Sequence, residues 1–203
     1  MGFLRSLFGP SREEIWRQLA DQIGAEYVDG GFWGRDKVVA RVGEWTVTLD
    51  YYTVSNGKTS TTYTRMRAPY VNRDGFRFRI HRANFFTGIA EAVGFHDIEI
   101  GDPAFDQDYV VKGNDAEKVC LLLASPRLRE LIRCQPYLRL QVKDDEGWFG
   151  ADFPEGVDEL HFDAGRVIRD LDQLHALFDL FAETLHRLCH IGSAYEDDPQ
   201  IGL

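Results

Sequence analysis

Cysteine is scarce in this 203-residue chain. Its three cysteines, Cys120, Cys134 and Cys189, stand far apart and form no CxxC pair, which excludes a disulfide framework and a cysteine-rich zinc module and points to a reducing cytoplasm. No apolar run approaches the roughly 18 residues of a spanning helix, so an integral helical membrane protein is excluded. The first ten residues lack a basic region followed by a long apolar run and a cleavage site, so no secretory signal is expected. Neither a repeat of fixed period nor a linker rich in Pro, Ser or Gly divides the chain. The glycines Gly30, Gly31 and Gly34 lack the order and the following Lys-Ser/Thr of a phosphate loop, and no GxSxG elbow is present. No motif names a reaction. What is there, 44% hydrophobic and 28% charged residues, is ordinary globular composition and excludes a fibrous or wholly disordered chain.

Charge is the most informative feature, because the net −10 is unevenly spread. From Lys58 to Arg82 seven Lys or Arg stand against Asp74 alone, whereas from Ala83 onward ten stand against twenty-four Asp or Glu. A basic middle thus lies between acidic flanks. The overall acidity disfavours nucleic acid as a partner, since affinity for a phosphate backbone comes from neutralising it with Lys and Arg. A local site for an anion stays open.

Ser11 with Glu14 is a capping-box pattern, predicting a helix over residues 12–23 with Ile15, Trp16, Leu19 and Ile23 on one face and Gly24 as its stop. Strand-like residues then prevail. Trp45 to Val54 and Thr59 to Val71 flank Asn56-Gly57, a hairpin signal. After a turn at residues 72–75, Phe76 to His81 alternate, with Phe76, Phe78 and Ile80 on one face and Arg77, Arg79 and His81 on the other. A short helix is expected over Phe85–Val93, a brief strand at Asp97–Ile100 and another near Tyr109–Val111. Helices follow over Ala116–Leu123, opened by Asn114 with Glu117, and over Arg127–Arg133, capped by Ser125-Pro126. Strands are expected at Tyr137–Val142, Trp148–Phe149 and Glu159–Phe162, and a long amphipathic helix at Leu171–Ile191. The fold class is therefore α+β, a large antiparallel meander sheet flanked by helices. Residues 1–11 read as an N-terminal arm, 12–191 as one domain with a bilobed form as the alternative, and 192–203 as a flexible acidic tail.

Three stretches, Asp102-Pro103-Ala104-Phe105-Asp106, Val111-Lys112-Gly113-Asn114-Asp115 and Leu122 to Leu131 (LLASPRLREL), resemble the signature of a bacterial family of uncharacterised domains. Some members of that family are soluble, and others carry the domain behind membrane-spanning segments. The likeness extends over most of residues 12–190. It implies a bacterial, cytoplasm-facing setting and supplies no catalytic residue.

Two constellations are candidates for chemistry. The first is the basic sheet face, with Arg65, Arg67, Arg77, Arg79 and His81 as an anion or partner site, because guanidinium forks match carboxylate and phosphate geometry. Those charges are equally open to neutralisation by the acidic half or by a second subunit in a homo-oligomer. The second is a stripe on the last helix, where His186 and His190 lie one turn apart and Asp179 or Glu183 would complete a three-ligand zinc site. Arg187 stands where a zincin places its glutamate. The acidic residues Asp102, Asp106, Asp108, Asp144, Asp145, Glu146 and Asp152 lack the ligand spacing of an EF-hand and read as solvated turns. The cysteines read as buried apolar residues of helices rather than thiolates, with Cys189 the one whose reactivity bears checking.

These observations lead to a cytoplasmic, non-enzymatic binding or scaffold domain without a cofactor, whose Arg-rich sheet face takes a protein partner or small anionic ligand. The rival is a zinc-dependent hydrolase built on His186, His190 and Asp179. Peripheral membrane contact through Met1–Phe8, with its Phe3, Leu4, Leu7 and Phe8, is a third expectation.

Overall fold

Ser11 opens the first helix by exchange with Glu14. Its hydroxyl accepts from the Glu14 N–H at 3.2 Å, and the Glu14 carboxylate accepts from the Ser11 N–H at 2.9 Å, which satisfies two donors that a helix start leaves unpaired. Gly24, at φ 67°, closes the helix in the left-handed conformation that costs glycine least. The computed structural model describes residues 9–31, 34–83, 94–144 and 153–203. The N-terminal arm up to Phe8, the expected helix at Phe85–Val93 and the expected strand at Trp148–Phe149 lie outside the described residues.

After α1 (Arg12–Ile23) come β1 (Glu26–Val28), β2 (Lys37–Val42), β3 (Trp45–Ser55) and β4 (Ser60–Val71). These four form a meander, and the Asn56-Gly57 hairpin stands where the sequence places it, with Gly57 at φ 81°. The chain then leaves the meander. The Asn72 side-chain oxygen accepts from the Asp74 and Gly75 N–H groups, while its main-chain N–H donates to Gly156 at 2.8 Å. This turn sends β5 (Phe78–Arg82) away from β4.

The remaining elements are β6 (His96–Asp97), α2 (Pro103–Asp108), β7 (Tyr109–Gly113), α3 (Ala116–Leu123), α4 (Pro126–Arg133), β8 (Arg139–Lys143), β9 (Val157–Ala164) and α5 (Leu171–His190). The sheet has nine strands in the order β1-β2-β3-β4-β9-β8-β5-β7-β6, and every neighbouring pair is antiparallel. The α+β class with a large antiparallel sheet and a long last helix stands. Strand β9, rather than β5, is the far neighbour of the meander.

Three local differences have plain causes. The cap of α3 is Asp115, whose carboxylate accepts from the Lys118 N–H, because Asn114 is occupied in bridging the Arg77 N–H and the Gly75 carbonyl. The short α2 starts on Asp102 with Pro103 in its first turn, a pairing that reads as a turn when the helix it opens is only six residues long. Strand β6 is two residues at the sheet edge, shorter than the expected run to Ile100, since Ile100 and Gly101 give their N–H groups to the Asp106 carboxylate instead.

One face of the sheet supplies Met66, Ala68 and Tyr70 from β4, Leu160 and Phe162 from β9, Leu140 from β8 and Ile80 from β5 to a continuous core. The apolar stripes of the helices complete it, including Trp16, Leu122, Phe181 and Leu185. Burial of this kind contributes about 1.5 to 3 kcal/mol for each large apolar side chain. Because side chains alternate along a strand, the charged residues between these core positions all project to the opposite face.

Candidate functional site

The strand registers line those charged residues up in rows across the polar face. One row runs Asp50, Arg65, Asp163, Arg139 and His81 from β3 to β5. The next runs Thr48, Arg67, His161, Gln141, Arg79 and Lys112, reaching β7. Strand β9 carries Glu159, His161 and Asp163 at alternate positions, and all three are buried. A charged side chain held out of water needs a partner of opposite sign with good geometry. Most charges on this face have one.

Arg65 grips Asp50 with both prongs, Nε to Oδ1 at 2.8 Å and Nη2 to Oδ2 at 2.7 Å, and Arg67 adds Nη2 to Oδ2 at 2.9 Å. Asp50 is 6% and Arg67 5% exposed, so this is a buried charge triad rather than a surface pair. Arg139 donates from Nε to Asp163 Oδ1 at 2.7 Å. Between Glu159 and Asp163 of β9 lies His161, with Nδ1 2.7 Å from Glu159 Oε1 and Nε2 3.2 Å from Asp163 Oδ2. Each contact is a hydrogen bond when the ring nitrogen carries the proton and the carboxylate accepts. Burial pushes the Asp163 carboxyl upward, but the His161 hydrogen bond and the Arg139 charge outweigh it and hold that carboxyl below its ordinary value. Glu159 is fully buried, and its Oε2 has no hydrogen-bond partner among the described residues.

Arg77 is committed elsewhere. Just before β5 it forks onto Asp158, Nε to Oδ2 at 2.9 Å and Nη2 to Oδ1 at 3.0 Å, and gives Nη1 to Asp144 at 2.7 Å. The hydrogen bond to Asp158 raises its pKa above the usual guanidinium value. The Asn72 amide also donates to Asp158, which ties the β4 turn, β5 and β9 together. His81 is engaged locally, its Nδ1 3.1 Å from the Arg82 carbonyl.

Arg79 differs from all of these. It is partly buried on β5, and its hydrogen bond runs from Nε to the neutral Gln141 Oε1 at 3.0 Å. Among the described residues no carboxylate pairs with it. Burial lowers its pKa from the usual guanidinium value, and the neighbouring Arg139 charge lowers it further. A guanidinium does not escape that environment by losing its proton, so Arg79 remains a cation next to a cation. Of the five residues singled out by sequence, Arg65, Arg67 and Arg77 are neutralised by the chain's own acids. Among the described residues Arg79 has no carboxylate partner.

The acids that do the neutralising escape a sequence reading of basic residues. Asp50, Glu159 and Asp163, together with His161, Arg139 and Gln141, complete the face. A signal for three of them was present: Glu159-Leu160-His161-Phe162-Asp163 alternates as strictly as Arg77 to His81, with the opposite charge. The chain after Gly192 adds a further acid. Ser193 and Ala194 are buried, the Arg73 N–H donates to the Ser193 carbonyl at 3.0 Å, and the Tyr195 N–H donates to Val71 at 3.2 Å. Asp198 then accepts from Arg41 Nη1 at 2.7 Å and from the Thr46 hydroxyl at 2.6 Å, and Lys37 Nζ donates to the Leu203 main-chain oxygen. Composition gives no hint of these contacts, because their partners lie far back in the sequence on β2, β3 and β4.

The stripe on α5 does not converge. His186 and His190 are exposed, Asp179 pairs with Arg127 at 3.1 Å, and Glu183 accepts from the Ser125 hydroxyl at 2.7 Å. Among the described residues no group of three or more His, Cys, Asp or Glu side chains is arranged to hold a metal ion. The acidic residues of α2 serve as caps and pairs, with Asp102 facing Arg129 and Arg133. Cys120 and Cys134 are exposed, contrary to the expectation of burial, because the inward faces of α3 and α4 are taken by Val119, Leu122 and Leu123 and by Leu128, Leu131 and Ile132. Burial pushes the Cys189 thiol up to about 11, the opposite of what a nucleophilic thiolate requires. Among the described residues no helix is long and apolar enough to cross a membrane.

No family model matches the chain, and no curated protein matches it. Its fold is similar to the crystal structure of the mycobacterial trehalose monomycolate transport factor A, TtfA, with a TM-score of 0.48 and 10% sequence identity, covering 87% of this chain and 95% of that one.

Proposed function

We propose that this chain is a non-enzymatic binding or scaffold domain whose polar sheet face engages an anionic ligand or acidic partner at Arg79. The observation that carries the reading is the contrast within one basic set: Arg65, Arg67 and Arg77 each hold a carboxylate of the chain, and Arg79 holds a neutral amide. An anion brought to Arg79 relieves its repulsion with Arg139, and a charge-assisted hydrogen bond to a guanidinium is worth about 1.5 to 3 kcal/mol. The rows of paired charge on either side are the rigid setting for that one cation.

A ligand that binds the folded state alone raises its melting temperature. Inorganic phosphate is therefore expected to stabilise the wild-type protein beyond sodium chloride of the same ionic strength. Arg79→Gln removes the cation and breaks no ion pair, so the variant is expected to fold normally and to lose the phosphate-specific increment. An increment of equal size in wild type and Arg79→Gln would contradict the reading.

A further inference from the structure

The polar face already holds one acidic segment, and how it does so indicates what Arg79 takes. At the β2–β3 end, Asp198 is received by a guanidinium and a neutral hydroxyl, Arg41 Nη1 and Thr46 Oγ1. It comes from a stretch that forms neither helix nor strand. Thr46 lies two residues before Thr48 on β3 and so shares its face with Arg67, His161, Gln141 and Arg79. The β5–β8 end repeats the chemistry of that seat. There the guanidinium is Arg79 and the neutral group is Gln141, whose oxygen is engaged by Arg79 Nε while its amide nitrogen donates to no described residue.

The chain's own acidic segment is led away from this second seat. It leaves β4 at Val71, meets β3 and β2 at Thr46 and Arg41, and has reached Lys37 on β2 by Leu203. In the sheet order β5 is four strands beyond β3 in the opposite direction, about 19 Å at the usual strand spacing. The charge balance also limits the occupant. Among the described residues no carboxylate pairs with Arg79, and a single carboxylate, as in the seat of Asp198, matches its single charge.

Resting on the reading of Arg79 as an anion site, we infer that this seat takes a glutamate or aspartate side chain from an acidic, irregular segment of a partner protein. Arg79 supplies the fork and Gln141 the second donor. The partner's carboxylate then stands in the row that Arg67, His161, Gln141 and Arg79 form.

Fluorescence anisotropy of a labelled, end-capped tetraglutamate peptide tests the inference on the full chain and on Arg79→Gln, Arg79→Lys and Arg41→Gln. The expected result is saturable binding to wild type, at least tenfold weaker binding to Arg79→Gln, a partial loss in Arg79→Lys, which keeps the charge without the fork, and no change in Arg41→Gln. Loss in Arg41→Gln with binding retained in Arg79→Gln would place acidic segments at the seat of Asp198 and overturn the inference. Stabilisation by phosphate through Arg79 without peptide binding would overturn the acidic partner and leave the anion site standing. Failure of both probes on wild type would overturn both.

Discussion

Replacing Asp50 by alanine is expected to lower the stability of the fold by about 3 to 5 kcal/mol, measured by urea unfolding, the cost typical of stripping the partner from a buried charge. Asp50 is the common acceptor of Arg65 and Arg67; Asp50 and Arg67 are buried, and Arg65 is partly buried, between β3 and β4. Without it both guanidinium groups lose the carboxylate they share. A surface pair such as Arg17 with Glu13 offers the contrast, since breaking it should cost well under 1 kcal/mol. Equal effects at the two places would mean that the face is solvated and its pairing incidental. If Asp50, Arg65 and Arg67 are instead replaced together by Leu, Leu and Met, most of the loss should return, because an apolar substitute need not be neutralised. That outcome would mark the triad as a means of fixing strand register rather than a net source of stability.

His161→Ala is the second large effect, with an expected loss of at least 3 kcal/mol at neutral pH. His161 is the group that Glu159 and Asp163 share. Asp163 keeps Arg139 when the ring is removed, but Glu159 is left with no hydrogen bond at a fully buried position. The loss should depend on pH in a defined direction. In the wild type, although burial pushes the Asp163 carboxyl up, His161 and Arg139 hold its folded value below the ordinary 3.8. Its stabilising contribution is then fully present above the unfolded value of about 3.9 and disappears as pH falls through the folded value. Removing His161 takes away one of the influences that lower it. The gap between wild type and variant should therefore be full at pH 6 and narrow below about pH 4. A gap that stays constant from pH 6 to pH 3 would show that the ring serves packing and not the charge of Asp163.

Local signals carry most of the secondary structure, and non-local pairing carries the rest. The capping box at Ser11, the Asn56-Gly57 hairpin and the alternation from Phe76 to His81 depend on residues close in sequence, and each is found where the pattern puts it. The placement of β9 beside β4 is of another kind. It joins residues 64–71 to residues 157–164, and nothing within either strand names the other. In hindsight the complementarity is visible, since Arg65 and Arg67 meet Asp163 and His161 in register. The same reasoning explains what was legible of the site. A basic strand face is apparent from spacing alone, whereas which of its cations the chain neutralises is decided by residues far off in sequence, 81 positions away in the Arg77 and Asp158 pair and 157 in the Arg41 and Asp198 pair.

An anion site at Arg79 requires that this guanidinium respond to an added anion while the paired arginines of the face do not. The most direct test is a titration of inorganic phosphate into nitrogen-15-labelled protein while the side-chain Nε–Hε resonances of the arginines are followed. The Arg79 resonance is expected to move with saturation, and those of Arg65, Arg67, Arg77 and Arg139 to stay near their starting positions. Equal displacement of all five, or movement of the others with Arg79 unmoved, would contradict such a site.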